Sequence, residues 1–222
     1  MDVVEAICSR KSIRGYNPTP VSKETLRKIL DIATRAPSSD NAQTWEFTVV
    51  AGEILDNIRW GNVDMLTSGV VPNPDFSLDH LKGVYRERQV GLAIQIFELM
   101  GITREDRDKR AQWRQRGYRF FDAPAAIILS ADSSLSESRV LFDVGLITQT
   151  ICLTALKYDL GTCIGAQGVQ YPEVIRKFTG IPESKRIIVS IAIGYPDWNF
   201  LANKLESKRE PVESITTWHG FE

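Results

Sequence analysis

Residues 139 to 158 constrain this chain more than any other stretch. Val140, Leu141, Val144, Leu146, Ile147, Ile151, Leu153, Ala155 and Leu156 set apolar side chains nearly all round a helix of that length. Such a helix must be buried, in a core or at a subunit interface. Tyr158-Asp159-Leu160-Gly161 follows, and Gly161 is the expected terminator, because glycine takes the left-handed C-cap conformation at no steric cost. The apolar runs 125 to 131 and 187 to 195 read as strands, and so does 46 to 51, bounded by Gly52.

The remaining helices follow from spacing and caps. Val3 and Ile7 share one face of a short helix over 2 to 9. Ser22 caps a second helix carrying Leu26, Ile29, Leu30 and Ala33, closed at Pro37. A third spans 84 to 100. Thr103 caps the next, with Glu105 and Asp106 in its first turn, and Pro172 opens a short one over 171 to 178. Residues 61 to 80 are rich in Gly, Asn, Asp, Pro and Ser and read as a long loop. Strands do not alternate with single crossover helices, so a doubly wound parallel sheet is excluded. The expected fold is α+β, a layered fold with helices on both faces of a mixed sheet. No repeat or linker divides 1–222, so one domain is expected.

Composition removes several function classes. The net charge is −1, which gives no global basic field for nucleic acid or an anionic membrane. No uninterrupted apolar run approaches the ~20 residues of a membrane span. The N-terminus has no basic segment followed by an apolar block, so a cytoplasmic protein is expected. Cys8, Cys152 and Cys163 are too widely spaced for a disulfide framework or a CxxC site. Cys152 reads as core; Cys163 could approach a ligand or simply pack. With only His80 and His219, neither a histidine metal site nor a Ser-His-Asp triad is supported. Chemistry in this chain is therefore expected from an organic cofactor.

Residues 37 to 47 read Pro-Ser-Ser-Asp-Asn-Ala-Gln-Thr-Trp-Glu-Phe, between a helix and a strand. Ser38, Ser39, Asn41 and Gln43 offer hydroxyls and carboxamides, each carboxamide both donor and acceptor. On one rigid loop they suit a planar heterocycle with carbonyls and N–H groups; they also suit an ordinary polar turn. Arg10, Lys11, Ser12 and Arg14 can surround a phosphate with charge-assisted bonds, or form a solvated basic helix end. Lys208-Arg209-Glu210-Pro211 alone is a charged loop. The arginine-rich stretch 104 to 119, with Trp113, Tyr118, Phe120 and Phe121 interleaved or adjacent, reads as a solvated helix face rather than a nucleic-acid surface.

In this order and spacing the pieces resemble the FMN-dependent nitroreductase family. Its pattern has Arg-x-Ser-x-Arg/Lys, then Pro-Ser-Ser-x-Asn-x-Gln-Pro-Trp, a Gly-rich segment after a long core helix, and a late Arg followed by x-Pro. This chain has Arg10, Ser12 and Arg14; Pro37, Ser38, Ser39, Asn41, Gln43 and Trp45; Leu160 to Ala166; and Arg209 with Pro211. Thr44 stands where the family has proline, which points to a less rigid loop. The resemblance implies FMN as cofactor, NAD(P)H as electron donor and a small acceptor such as a nitroaromatic or quinone, taken in turn by one pocket. It implies that Arg10, Ser12, Arg14 and Arg209 hold the phosphate. Asn41 and Gln43 would bond the ribityl chain or ring edge, with Pro37, Ser38 and Ser39 in the same loop. Backbone near Gly165 and Ala166 would approach N5, and Lys11 or Arg14 the pyrimidine edge. It further implies a mobile helical flap over about 85–120 whose Tyr118, Phe120 and Phe121 shape the substrate pocket. The implied assembly is a homodimer with FMN at the interface and the C-terminal tail wrapped on the partner subunit. Flavin destruction, reductive dehalogenation or a non-catalytic FMN-binding role are the alternatives.

Overall fold

The computed structural model describes residues 2–77 and 80–221. Leu78 and Asp79, at the end of the expected 61–80 loop, lie outside the described residues, as do Met1 and Glu222. Helices run over Val3–Ser9 (α1), Lys23–Ala33 (α2), Gly52–Thr67 (α3), Gly83–Leu99 (α4), Arg107–Tyr118 (α5), Glu137–Leu156 (α6) and Pro172–Thr179 (α7). Strands are Glu46–Ala51 (β1), Ala125–Asp132 (β2), Gly161–Gly165 (β3) and Lys185–Gly194 (β4).

The strands form one sheet in the order β1-β2-β4-β3, and every neighbouring pair is antiparallel. Among the described residues, parallel pairing is confined to the bridge between Ser12 and Thr162, so the sheet is mixed only there. Side chains alternate across β2. Ala125, Ile127 and Leu129 meet Ile147 and Ile151 of α6 and Leu26 and Ile29 of α2. Ala126 and Ile128 face the other way, onto Leu55 and Ile58 of α3 and Ile175 of α7. The sheet is thus covered on both faces. Opposite Leu129 and Ser130 the register skips Ile188, a bulge that lets Ile188 and Val189 both face the α6 side.

Several local expectations hold for the reasons given. Ser22 caps α2, accepting from the Thr25 N–H at 3.0 Å. Pro172 opens α7 as expected; Gly180, not singled out in the sequence, closes it at φ 74°. Others are corrected. Residues 52–67 are helix, so the loop begins at 68. Gly61, Asn62 and Asp64 are poor helix formers, but Leu55, Ile58 and Asn62 sit on one face and are buried. Asn62 belongs to the core because its amide donates to the carbonyls of Tyr118 and Gly168 at 3.0 and 2.9 Å. Thr103 does not cap α5. That helix starts at Arg107, and the Asp106 carboxylate accepts from the Thr103 N–H at 2.8 Å. The second helix stops at Ala33 rather than at Pro37.

Helix α6 ends at Leu156, and Gly161 opens β3 instead of capping it. A side chain at Gly161 would collide with Ile13 and Pro196, so glycine is needed there for close approach. α6 is long and apolar enough to cross a membrane by composition alone, yet it is a core helix here. Val140, Val144, Ile147, Ile151 and Ala155 lie under the sheet. Phe142 on the opposite face is 65% exposed.

Candidate active site

The loop between α2 and β1 is strained and held. Asp40, Asn41 and Gln43 adopt φ of 55°, 55° and 49°. Asn and Asp tolerate that region best, and each such residue costs about 1–3 kcal/mol unless its surroundings impose the conformation. Asp143, fully buried on α6, imposes it. Its Oδ1 accepts from the Ser39 N–H at 3.1 Å and its Oδ2 from the Thr44 hydroxyl at 3.0 Å. Inside this clamp the Ser38 hydroxyl accepts from the Gln43 N–H at 3.0 Å, and the Gln43 amide donates to the Asn41 carbonyl at 3.2 Å. Arg139, one turn earlier on α6, pairs with Asp40 at 3.2 Å. Thr44 therefore does not loosen the loop: its hydroxyl supplies an anchor that proline could not. Pro37, Ser39, Asn41 and Gln43 are exposed at the surface, and Ser38 is half-buried. The signal for Asp143 was a lone carboxylate in the middle of an apolar helix, which is costly unless partnered.

The basic cluster runs beside β3. Ser12 bridges to Thr162, and the Ile13 N–H donates to the Thr162 carbonyl at 2.9 Å. The extended backbone sends successive side chains to opposite sides. Ser12 lies beside Cys163, whose thiol burial pushes up to about 11 while Arg14, Ser12 and Arg10 pull it back. Lys11 goes the other way with Ile13, into a cavity of about 230 Å³ beside Gly161 and Trp198. Gly165 and Ala166 follow one residue beyond Cys163, after Ile164, and are half-buried, with the Gly165 carbonyl accepting from the Ser190 hydroxyl at 2.7 Å. The structure so brings Arg10, Ser12, Arg14 and the Gly165 turn to one strand and separates Lys11 from them.

Asn203 was not visible in the sequence, and it joins this cluster to the start of the tail. Its Oδ1 accepts from the Arg14 N–H at 2.7 Å, and its amide donates to the Gly15 and Asp197 carbonyls, each at 2.8 Å. Arg116 of α5 adds a bond to the Arg14 carbonyl at 3.0 Å and stacks over Phe200 at 4.7 Å. Arg209 is exposed and bonds only within its own loop, to the Ser207 hydroxyl at 2.8 Å and to nearby carbonyls. It lines a groove against α4 beside the Arg88–Glu210 pair, and no described contact joins it to Arg14.

The aromatic expectation needs correction. Tyr118 and Phe120 are 3% and 2% exposed, within the core on the α3 side of the sheet, and Tyr118 packs on Tyr171 at 5.9 Å. They shape the turn from α5 into β2 rather than a pocket wall. Phe120, Phe121 and Asp122 all have φ between 53° and 59°, a genuine outlier for bulky residues. Arg119 holds the turn with paired bonds to Asp122 at 2.8 and 3.1 Å, and Arg59 bonds the Arg119 and Ala123 carbonyls. Only Phe121 remains half-buried, facing Trp113 at 6.4 Å.

These donors fit the phosphate and ring of a flavin mononucleotide. Among the described residues Arg10, Lys11, Arg14 and Arg209 have no carboxylate partner, whereas Arg59, Arg116, Arg119, Arg176 and Lys185 all do. Unpaired arginine forks on a partly buried edge suit a dianion.

The nitroreductase family model matches residues 7–195. The chain is 32% identical over 222 residues to a 4-nitrobenzoate reductase of Pseudomonas putida, covering all of this chain and 97% of that protein. It is 27% identical to the nitroreductase NfnB of Mycolicibacterium smegmatis over 212 residues, covering 95% of this chain and 89% of the other. Among solved structures, the FMN-dependent NfnB from Mycobacterium smegmatis in complex with NADPH superposes with a TM-score of 0.91 at 26% identity, covering 97% of both chains. The chain belongs to the nitroreductase family.

Proposed function

We propose that this chain is an FMN-dependent oxidoreductase that passes electrons from NAD(P)H to a small organic acceptor of the nitroaromatic or quinone type. The observation that carries this is the grouping of Arg10, Ser12 and Arg14 beside β3, without a carboxylate partner among the described residues, on the strand that ends at the Gly165–Ala166 turn. When bound, FMN supplies the two-electron redox chemistry, and the protein supplies position and charge. Arg10, Ser12, Arg14 and Arg209 hold the phosphate. The clamped loop presents Asn41 and Gln43 to the ring edge or ribityl chain. A cation near the pyrimidine edge favours negative charge there by Coulomb attraction, and Arg14 is better placed for that role than Lys11. With no second nucleotide site in the sequence, donor and acceptor use one pocket in turn.

The same reading takes 1–222 as one FMN-binding domain, with α4 and α5 as the helical flap, working as a cytoplasmic homodimer. Support comes from the face of α6 turned away from the sheet, where Phe142 and Gly145 are exposed and Leu146 and Leu153 half-buried. Trp218 and Phe221, 62% and 77% exposed and stacked edge to face at 5.4 Å, give the tail an apolar tip to dock on a partner subunit. The test is the visible spectrum of the native protein, followed by bleaching with NADH or NADPH under anaerobic conditions. A colourless protein that takes up no FMN refutes the reading; a yellow protein that neither nucleotide bleaches supports a binding role instead.

A further inference from the structure

Arg14 is held by its backbone rather than by its charge. Bridge pairing reaches Ser12, which meets Thr162, and resumes at Tyr16, which meets Pro196. The peptide groups around Arg14 fall between these bridges and need other partners. Asn203 accepts from the Arg14 N–H at 2.7 Å, and Arg116 donates to the Arg14 carbonyl at 3.0 Å. Both peptides flanking the Arg14 Cα are thereby fixed, and with them the direction in which its side chain leaves the backbone. Among the described residues the guanidinium itself makes one hydrogen bond, to the Ser12 carbonyl at 3.5 Å, and no ion pair.

Arg116 reaches this point from the last turn of α5, and its own geometry is set on three sides. One terminal nitrogen pairs with Asp122 at 2.9 Å, and the other carries the bond to Arg14. The guanidinium lies 4.7 Å from the centre of the Phe200 ring. A side chain at Gly15 would collide with Phe200, so glycine there lets the ring sit against the Arg14 backbone. A planar fork can serve a carboxylate, a carbonyl and an aromatic face together, whereas an ammonium cannot. The next residue, Gly117, is buried, and a side chain there would meet the Gln167 amide, two residues after Gly165. The end of α5 thus touches both the Arg14 backbone and the turn beyond Gly165.

We propose that Arg116 is a positioning residue for the flavin: it ties the end of α5 to the Arg14 backbone, so that the aim of the Arg14 guanidinium and the packing of α5 change together. The inference rests on the FMN reading and concerns a residue that acts through Arg14 rather than on the cofactor. Linkage makes the effect reciprocal. Flavin held by Arg14 steadies α5, and loosening the tie weakens flavin binding.

The test is a double-mutant cycle on the dissociation constant of FMN, read by fluorescence titration of the apo-protein. Arg116→Met keeps a side chain over Phe200 but no donor. It is expected to weaken FMN binding by about three- to tenfold, the net effect of one hydrogen bond. In an Arg14→Ala background the same change should alter Kd by less than about twofold, because no guanidinium is left to aim. Arg116→Lys, the milder variant should Arg116→Met fail to fold, keeps the charge beside Asp122, loses the fork and should fall between. Arg119→Gln breaks the other pair with Asp122 in the same turn without touching Arg14, and should leave Kd unchanged even where Tm falls. Hydrogen exchange gives a second readout: FMN should slow exchange of the α5 amides in the wild type and not in Arg116→Met. A loss of equal size in both Arg14 backgrounds, or a wild-type Kd in Arg116→Met, overturns the proposal and leaves the FMN reading intact. If the protein binds FMN and Arg14→Ala keeps the wild-type Kd, Arg14 has nothing to aim at and the proposal falls alone. If the wild type takes up no FMN, the FMN reading and the proposal fall together.

Discussion

Replacing Thr44 with valine is a nearly isosteric change that removes one hydroxyl from a 7% exposed site. It leaves Asp143, which has no exposed surface, with the Ser39 N–H as its one remaining partner in the loop. A hydrogen bond to a charged group is worth about 1.5–3 kcal/mol. For a chain of this length each kcal/mol moves Tm by about 2–4 °C, so Thr44→Val should lower Tm of the flavin-free protein by roughly 3–12 °C. Asp143→Ala removes both bonds and opens a cavity, and its loss should be larger. Asp143→Asn keeps an acceptor for Ser39 and can still bond the Thr44 hydroxyl, so it should fall between wild type and Thr44→Val. The decisive assay is fluorescence titration of apo-protein with FMN, run well below each variant's Tm. If the clamp holds Asp40, Asn41 and Gln43 in their left-handed conformations for binding, part of the same free energy reappears in Kd. A loss of fivefold or more is then expected in Thr44→Val, with substantial rescue in Asp143→Asn relative to Asp143→Ala. A large drop in Tm with unchanged Kd in all three variants would show that the clamp only stabilises the fold.

Arg14→Ala and Arg209→Ala should each weaken FMN binding by about tenfold to a hundredfold, read by the same titration; unchanged affinity in both would return these clusters to solvated surface. Steady-state kinetics should give parallel double-reciprocal lines and mutual competition between acceptor and nucleotide analogues, and intersecting lines without competition would require two simultaneous sites. Deleting residues 211–222 should lower both flavin occupancy and dimer content by light scattering. Asp132 is held down at about pKa 2 by bonds from Ser134 and then Lys185. Its contribution is present above the unfolded value of ~3.9 and lost as pH falls towards 2, so Asp132→Asn should flatten the acid limb of the stability curve.

What was legible in the sequence was whatever depends on local pattern. The runs that became β2 and β4 are apolar on both faces because helices cover both faces of the sheet, so they stood out without alternation. Ser22 and Pro172 act within one turn, and the starts of α2 and α7 follow from them. The elements that were missed depend on distant partners. The C-terminal part of α3 reads as loop because Gly61, Asn62 and Asp64 fall in it; it is helical because Leu55 and Ile58 reach the core and Asn62 meets the carbonyls of Tyr118 and Gly168, 56 and 106 residues away in sequence. β3 has five residues with glycine at each end, too short and too weak in propensity to announce itself. The motif residues at 10–14 and 37–43 were visible; of the residues that hold them in place, Asp143 shows only as a lone carboxylate within an apolar helix, with nothing local to name its partners, and Asn203 carries no local signature.

The position of the two motifs along α6 gives the proposed link between flavin binding and assembly a geometric basis. Asp143 holds the loop near one end of the helix, and Cys152, which feels Arg10, lies nine residues on. At ~1.5 Å per residue that is a separation of about 13 Å along the axis within one chain. Between and beside these points α6 turns an apolar stripe outward, beginning at Phe142, next to the clamp itself. In the proposed dimer, a two-fold axis crossing that stripe would bring the loop of one protomer towards the basic edge of its partner, and an isologous contact would do so twice. A flavin bridging both motifs would then stabilise that dimer by mass action, and weakening either motif would weaken the assembly. Phe142→Asp charges the stripe without touching a proposed FMN ligand, so it separates the two effects. Loss of dimer together with loss of flavin is the expected result; a flavin-loaded monomer would show that one chain's motifs suffice.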